Sequence, residues 1–244
     1  MRIKLGQKIF WKIKHITLEN RITRLIRFHL VWARYANAEG LTKSIYKNSP
    51  QDRKGNPSPW ISLGCINFLD NLDLRNFTVC ELGSGASTLF WAKRVSKVST
   101  FEHSEYWLKK LIENSSYSNI TGESVPEDYS FYRFESFNTD IIMIDGLDRT
   151  SAIKRVHELI FSGNIKPKLI IFDNADWFPK SVELLAQLRN YIPIDFGGFP
   201  PMGMGETLTR VYIRTDGDLE WITSAKAVRR SDKNINLTER YSLE

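Results

Sequence analysis

Four short, nearly continuous apolar runs, each with an acidic residue at its end, constrain this chain more than any other feature. They are 77–82 (FTVCEL), 98–102 (VSTFE), 140–145 (DIIMID) and 168–173 (KLIIFD), with Glu81, Glu102, Asp145 and Asp173 at their ends. Runs this short that lack polar alternation read as strands buried on both faces. Helical patterns over 86–95, 104–114, 150–162 and 180–190, and a further strand over 119–125, fall between them. The spacing therefore predicts an α/β fold, a mostly parallel, doubly wound sheet with helices on both faces. Two more strands are expected at 191–196 and 207–214. The Gly/Pro-rich connection GGFPPMGMGE between them has no room for a crossover helix, so these two should be antiparallel to each other.

In an open parallel sheet, ligands bind beyond the carboxyl ends of the strands, near the point where strand order reverses. The first apolar run leads into Gly83-Ser84-Gly85-Ala86-Ser87-Thr88. Two glycines let backbone approach a ligand closely, and the helix that follows offers free N–H groups. Glu102 lies 21 residues after Glu81 at the end of the next strand, where a carboxylate can accept both hydroxyl hydrogens of a ribose. A dinucleotide fingerprint would carry a third small residue where this chain has Thr88, and Glu81 would repel a pyrophosphate. A carboxylate there could instead organise the loop around a cationic methionine moiety, which favours S-adenosylmethionine over NAD.

These segments resemble the successive motifs of class I S-adenosylmethionine-dependent methyltransferases. The resemblance rests on Glu81 to Thr88, Phe101-Glu102-His103, Ile144-Asp145-Gly146, Phe172-Asp173-Asn174 and Thr209-Arg210-Val211-Tyr212, and spans about 58–214. It implies a Rossmann-like sheet of about seven strands with an antiparallel last strand. It also implies cofactor contacts at Gly83, Gly85, Ser87 and Glu102, with Glu81, Ser84, Thr88, His103 and Asp145 as further candidates around the same site. His103 is either a cofactor contact, a base, or a polar surface residue.

A narrower resemblance is to catechol-type metal-dependent O-methyltransferases. It implies Mg²⁺ held by Asp145, Asp173 and Asn174, an ion that would lower the pKa of an acceptor hydroxyl and orient its oxygen. Alternatively, Asp145 meets the cofactor or loop backbone and the Asp173-Asn174 pair only shapes a turn. The chain departs from that family at Asp148, where a lysine base would stand. Asp145, Asp148 and the following Arg149 are the catalytic candidates, Arg149 either binding an anionic acceptor or pairing with Asp148. Trp107 and Tyr106 either flank an adenosine or lie in the core. Trp177, Phe178, Phe199, Met202 and Met204 fall on segments expected near the acceptor.

Charge is unevenly placed. Residues 1–54 carry 13 Lys/Arg against three acids, a net +10, while the remaining 190 residues are net −4. The basic extension, with Phe10, Trp11, Ile13 and Ile16 beside Lys8, Lys12 and Lys14, either lies on an anionic membrane surface or packs its apolar stripe on the main domain. It has no recognisable nucleic-acid motif. The organisation read from this is a basic helical extension and linker over 1–57, with a helix over about 18–38, a cofactor-binding domain over 58–214, and a polar tail over 215–244. Within the second part, Ser58 is expected to cap a helix beginning at Pro59.

Cys65 and Cys80 sit in apolar elements with no CxxC or Cys/His cluster, which suits a reducing cytoplasm. No run approaches the roughly 20 apolar residues of a membrane span, so a soluble or peripheral protein is expected. The function expected is methyl transfer from S-adenosylmethionine to an oxygen of a small molecule or glycan. The alternatives are an NAD-dependent oxidoreductase and a non-catalytic binding protein that keeps the fold.

Overall fold

The computed structural model describes residues 21–126, 139–203 and 205–223. The expectations placed on Phe10 to Ile16, on Met204 and on the tail beyond Thr223 lie outside the described residues. Helices α1 (Arg21–Ala38), α2 (Leu41–Lys47) and α3 (Leu63–Asp70) precede the first strand. Then come β1 (Thr78–Leu82), α4 (Ala86–Ala92), β2 (Lys97–Glu102), α5 (Glu105–Glu113), β3 (Ile120–Ser124), β4 (Ile141–Ile144), α6 (Arg149–Phe161) and β5 (Leu169–Phe172). A short 3-10 turn (Ala175–Trp177), α7 (Pro179–Leu185), β6 (Tyr191–Gly198), β7 (Thr207–Arg214) and α8 (Glu220–Thr223) complete the order.

The seven strands form one sheet in the order β3-β2-β1-β4-β5-β7-β6. The first five are parallel, and β7 is inserted antiparallel between β5 and β6. This is the Rossmann-like, doubly wound sheet with an antiparallel last strand that the motifs imply. Strand order reverses between β1 and β4, so the carboxyl ends of these two neighbours form the crevice where such sheets take ligands.

Period-two alternation distributes each strand between two cores. Cys80, Leu82, Ile142, Ile144, Ile170, Phe172 and Tyr212 face one layer, against Ala152, Ile153, Val156 and Leu159 of α6. Val79, Ile141, Met143, Leu169, Ile171 and Val211 face the other, against Ile66 and Leu69 of α3 and Phe90 and Trp91 of α4. Cys65 and Cys80 are both free and buried, and they belong to opposite layers, so the sheet itself separates them. At the amino edge Asp140 accepts from the Thr78 N–H and hydroxyl at 2.9 and 3.1 Å and pairs with Lys168 at 3.2 Å, tying β1, β4 and β5 together far from the crevice.

The edge strand β6 tolerates Pro193 because an edge needs no donor on its outer side. Asp195 and Arg210 lie opposite each other across β6 and β7 and form a bidentate pair. Beyond β7 the chain stays packed through α8, where Trp221 is buried against Phe77 at 5.5 Å between ring centres.

The start of α3 differs from expectation. Ser62, not Ser58, is the cap, accepting from the Cys65 N–H at 3.3 Å, and Trp60 is 51% exposed. The chain before Leu63 is held extended by the sheet: the Ser62 N–H donates to the Thr209 hydroxyl at 3.1 Å and the Leu63 N–H to the Phe199 carbonyl at 3.1 Å. Those bonds take N–H groups that an earlier helix start would have turned inward. No helix among the described residues is long and apolar enough to cross a membrane. Replacing Ser62 with Ala should cost about 1 kcal/mol of stability in urea unfolding, the usual value of an N-cap.

Candidate functional site

The glycine turn after β1 is locked from below. Thr88, on the first turn of α4, donates its hydroxyl to Glu81 Oε2 at 2.5 Å and accepts the Gly85 N–H at 3.0 Å. The residue that breaks the dinucleotide fingerprint thus ties the turn to the strand beneath it. Gly83 has φ +99°, and a Cβ there would stand 2.8 Å from the backbone of Gly146, so the loops after β1 and β4 touch main chain to main chain. Gly85 is different: a Cβ there would meet only the Ser87 hydroxyl, at 3.9 Å. Its backbone faces open space.

Glu102 closes the side of this space. Oε2 accepts from the Ser84 N–H at 2.8 Å and the Ser84 hydroxyl at 3.0 Å, and Oε1 accepts from the Ser104 N–H at 3.0 Å and lies 2.8 Å from His103 Nδ1. Strands β1 and β2 therefore present a loop and a carboxylate already organised around each other. Trp107 joins them, donating Nε1–H to the Ser84 carbonyl at 3.0 Å while 44% exposed. Tyr106 is 76% exposed, so neither aromatic belongs to the core.

At the ends of β4 and β5 the expected metal trio is brought together, but around a side chain. Arg149 donates Nη2–H to Asp145 Oδ1 at 2.6 Å, Nη1–H to Asn174 Oδ1 and to the Asp173 carbonyl, and Nε–H to the Gly146 carbonyl. Asp173 turns its carboxylate elsewhere, accepting from the Thr209 hydroxyl at 2.6 Å. Asn174, at φ +51°, donates Nδ2–H to the Thr207 hydroxyl at 2.7 Å. A guanidinium thus fills the place assigned to Mg²⁺, and the ligand set Asp145, Asp173 and Asn174 is not an open oxygen cage. No group of three or more His, Cys, Asp or Glu among the described residues could hold a metal ion.

Two catalytic candidates change role for the same reason. Asp148 caps α6, accepting from the Ser151 N–H at 3.0 Å and its hydroxyl at 2.7 Å, which stations it as a helix cap and not as a base. Arg149 pairs with Asp145 rather than Asp148, and its donors are spent on the loops after β4 and β5, so it has none to spare for an anionic acceptor. Asp145 keeps 22% of its side chain exposed, whereas Asp173 is buried. Thr209 was read from sequence only as part of a motif and Thr207 only as part of a strand, neither as a site residue. Their signal was a Thr-Leu-Thr alternation that puts two hydroxyls on one face of β7, under the Asp173-Asn174 pair.

The site is electrostatically lopsided. Burial pushes the Glu81 carboxyl up to about 7, against the nearby hydroxyls of Ser87, Thr88 and Thr100, and Glu102 adds to the rise. Its Oε1 is buried without an aligned hydrogen-bond partner. Asp145 is raised by burial and by Asp173, with Arg149 pulling the other way, and Asp173 is raised chiefly by burial. Asp145 and Asp173 thus share one guanidinium, and these carboxyls, with Glu81, hold protons that free carboxyls would release.

No family model matches the chain, and no curated protein matches it. Solved structures do. A protein assigned as a caffeoyl-CoA O-methyltransferase from Staphylococcus aureus is 17% identical with a TM-score of 0.48, over 78% of this chain and 99% of that one. The N-methyltransferase NodS from Bradyrhizobium japonicum WM9, in complex with S-adenosyl-L-homocysteine, is 11% identical with a TM-score of 0.44, over 73% and 98%. Precorrin 8w decarboxylase from Methanobacterium thermoautotrophicum is 16% identical with a TM-score of 0.44, over 68% and 97%. At these identities nothing about acceptor or metal passes from those proteins to this chain.

The raised Glu81 carboxyl has a pH signature. Between its ordinary value of 4.5 and about 7 the folded chain keeps a proton that the unfolded chain has lost, so stability falls as pH rises through that window and levels off above it. Glu81→Gln, which keeps an oxygen for Thr88, should therefore be more stable than the parent at pH 8, by an amount on the order of 2 kcal/mol. The difference should vanish below about pH 4.5, as read by urea melts at the two pH values.

Proposed function

We propose that the chain is an S-adenosylmethionine-dependent methyltransferase acting on an oxygen of a small molecule or glycan. The charge balance beneath the glycine turn carries this reading. Glu81, Glu102, Asp145 and Asp173 line the strand ends and one guanidinium, Arg149, stands among them. Such a crevice favours a ligand carrying a sulfonium and an ammonium and repels a pyrophosphate, which sets aside a nicotinamide dinucleotide.

The residues fit that cofactor by more than charge. Gly85 leaves its side of the turn open for a nucleoside to lie against backbone, with Gly83, Ser84 and Ser87 around it. Glu102 stands where ribose hydroxyls would bind, the Ser84 hydroxyl now occupying one of its acceptor sites. Thr88 and Glu81 act from underneath by fixing the turn.

When bound, the cofactor supplies a methyl group on a sulfonium, ready for in-line displacement. The chain's own task is then alignment of the acceptor and, at Asp145, acceptance of a proton from its hydroxyl. Arg149 holds Asp145 and Asn174 in place without a metal, so the acceptor is positioned by shape and hydrogen bonds and not by chelation.

Calorimetric titration should give binding of S-adenosylhomocysteine and none of NAD; the reverse result overturns the assignment. Glu102→Ala should weaken S-adenosylhomocysteine binding at least tenfold, since hydrogen bonds to a charged group are worth roughly 1.5–3 kcal/mol. Turnover with a pool of hydroxylated acceptors should be equal in Mg²⁺ and in EDTA. A rate that collapses in EDTA would restore the metal.

A further inference from the structure

Helix α1 has no buried residue along its 18 positions, yet it is not a polar helix. Ile22, Leu25, Ile26, Phe28, Trp32 and Tyr35 are between 41% and 65% exposed. At 100° per residue these six fall within about half of the helix circumference, with Leu30 and Val31 outside it. Arg24, Arg27 and Arg34 gather in the sector alongside, around Val31, Arg21 and His29 fall within the apolar half itself, and the helix contains no acid. Stray surface apolar residues need no explanation, but a contiguous apolar face bordered by cations does.

The helix is also aimed. Trp32 meets Phe199 edge to face at 6.4 Å. Phe199 follows β6, which runs antiparallel to β7 and therefore parallel to β5, so it stands at the same carboxyl edge as Asp145 and Asp173. Leu147 and Trp177, 61% and 68% exposed, follow β4 and β5 at this edge. Trp60 lies just before α3, whose first N–H is bonded to the Phe199 carbonyl. The apolar face of α1 and the apolar rim of the crevice thus meet at Phe199.

We propose that α1 docks the protein on an anionic lipid surface, its apolar face in the interface and its arginines on the headgroups, with the carboxyl edge of the sheet turned toward the lipid. Charge complementarity selects this occupant. Residues 1–54 are net +10 and the rest of the chain net −4, so an anionic surface attracts the extension, and the Trp32–Phe199 contact, not charge, sets which edge of the sheet lies beside it. The residue types agree: Trp, Tyr and Phe among aliphatics, beside Arg, suit the boundary between headgroup and acyl chain. Docking itself does not depend on the methyl-transfer reading; the consequence that an acceptor at that edge is lipid-borne does.

Vesicle co-sedimentation of the full chain tests this, with 3:1 phosphatidylcholine:phosphatidylglycerol against pure phosphatidylcholine. Binding should be at least tenfold tighter to the anionic vesicles and should be lost in 0.5 M NaCl. Each arginine near such a surface contributes about fivefold, so Arg24→Gln with Arg27→Gln should weaken binding roughly twenty-five-fold. Leu25→Gln with Phe28→Gln should weaken it by a similar factor without removing charge. Helicity by circular dichroism and affinity for S-adenosylhomocysteine should stay unchanged in both variants, which separates failure of docking from failure of the cofactor assignment. Equal binding to neutral and anionic vesicles, or variants that bind like the parent, overturns the proposal. Absence of vesicle binding with capture of polyglutamate overturns it in favour of an acidic protein partner.

Discussion

One guanidinium ties together the carboxyl edge of this sheet. Arg149 reaches from the first turn of α6 to the loops after both β4 and β5, and the carboxylates that converge there would repel one another without it. Its position on the helix is set by Asp148, whose carboxylate caps α6 and so fixes where the next residue points. A divalent ion would do similar work with more charge but would need vacant oxygens. Here Asn174 gives its oxygen to Arg149 and Asp173 gives one of its oxygens to Thr209. The consequence is an edge tied together by the chain's own side chains, with acids in excess of cations.

That excess is tolerable because the acids are held in different ways. Glu102 is nearly buried but well supplied with donors from Ser84 and Ser104. Glu81 is fully buried, supported by Thr88 and left with one oxygen unserved, so burial dominates and its proton is retained to higher pH. A positive charge brought beside such a carboxyl would lower its pKa, and the proton would leave to water. The glycine turn therefore does not stand alone: its backbone is open at Gly85, and the carboxylates beneath and beside it hold its shape.

The sheet was legible because each buried strand advertises itself as a short apolar run and each acid stands at a strand end. Glu81, Glu102, Asp145 and Asp173 were placed at one edge because each ends a run. What was not legible depends on contacts distant in sequence. Ser58 and Ser62 are both plausible caps, and only Thr209 and Phe199, well over a hundred residues away, select Ser62. The metal trio had the right residues at the right strand ends, but sequence does not reveal that Arg149 folds back between them. Trp107 reads as a helix aromatic and turns out to reach the carbonyl of Ser84 across the crevice.

The insertion of β7 between β5 and β6 has a consequence for the order of assembly. The hydroxyls that fix Asp173 and Asn174 come from Thr207 and Thr209, on the last strand made. A chain emerging from the ribosome carries β1 through β5 long before these partners exist, with the β5 edge bare and its acids unsupported. Ser62 waits on the same event, since its N–H finds the Thr209 hydroxyl only once β7 is in place. Biosynthesis thus leaves the Asp173-Asn174 corner of this edge unsupported until β7 is in place, while the glycine turn and Glu102 already have their partners.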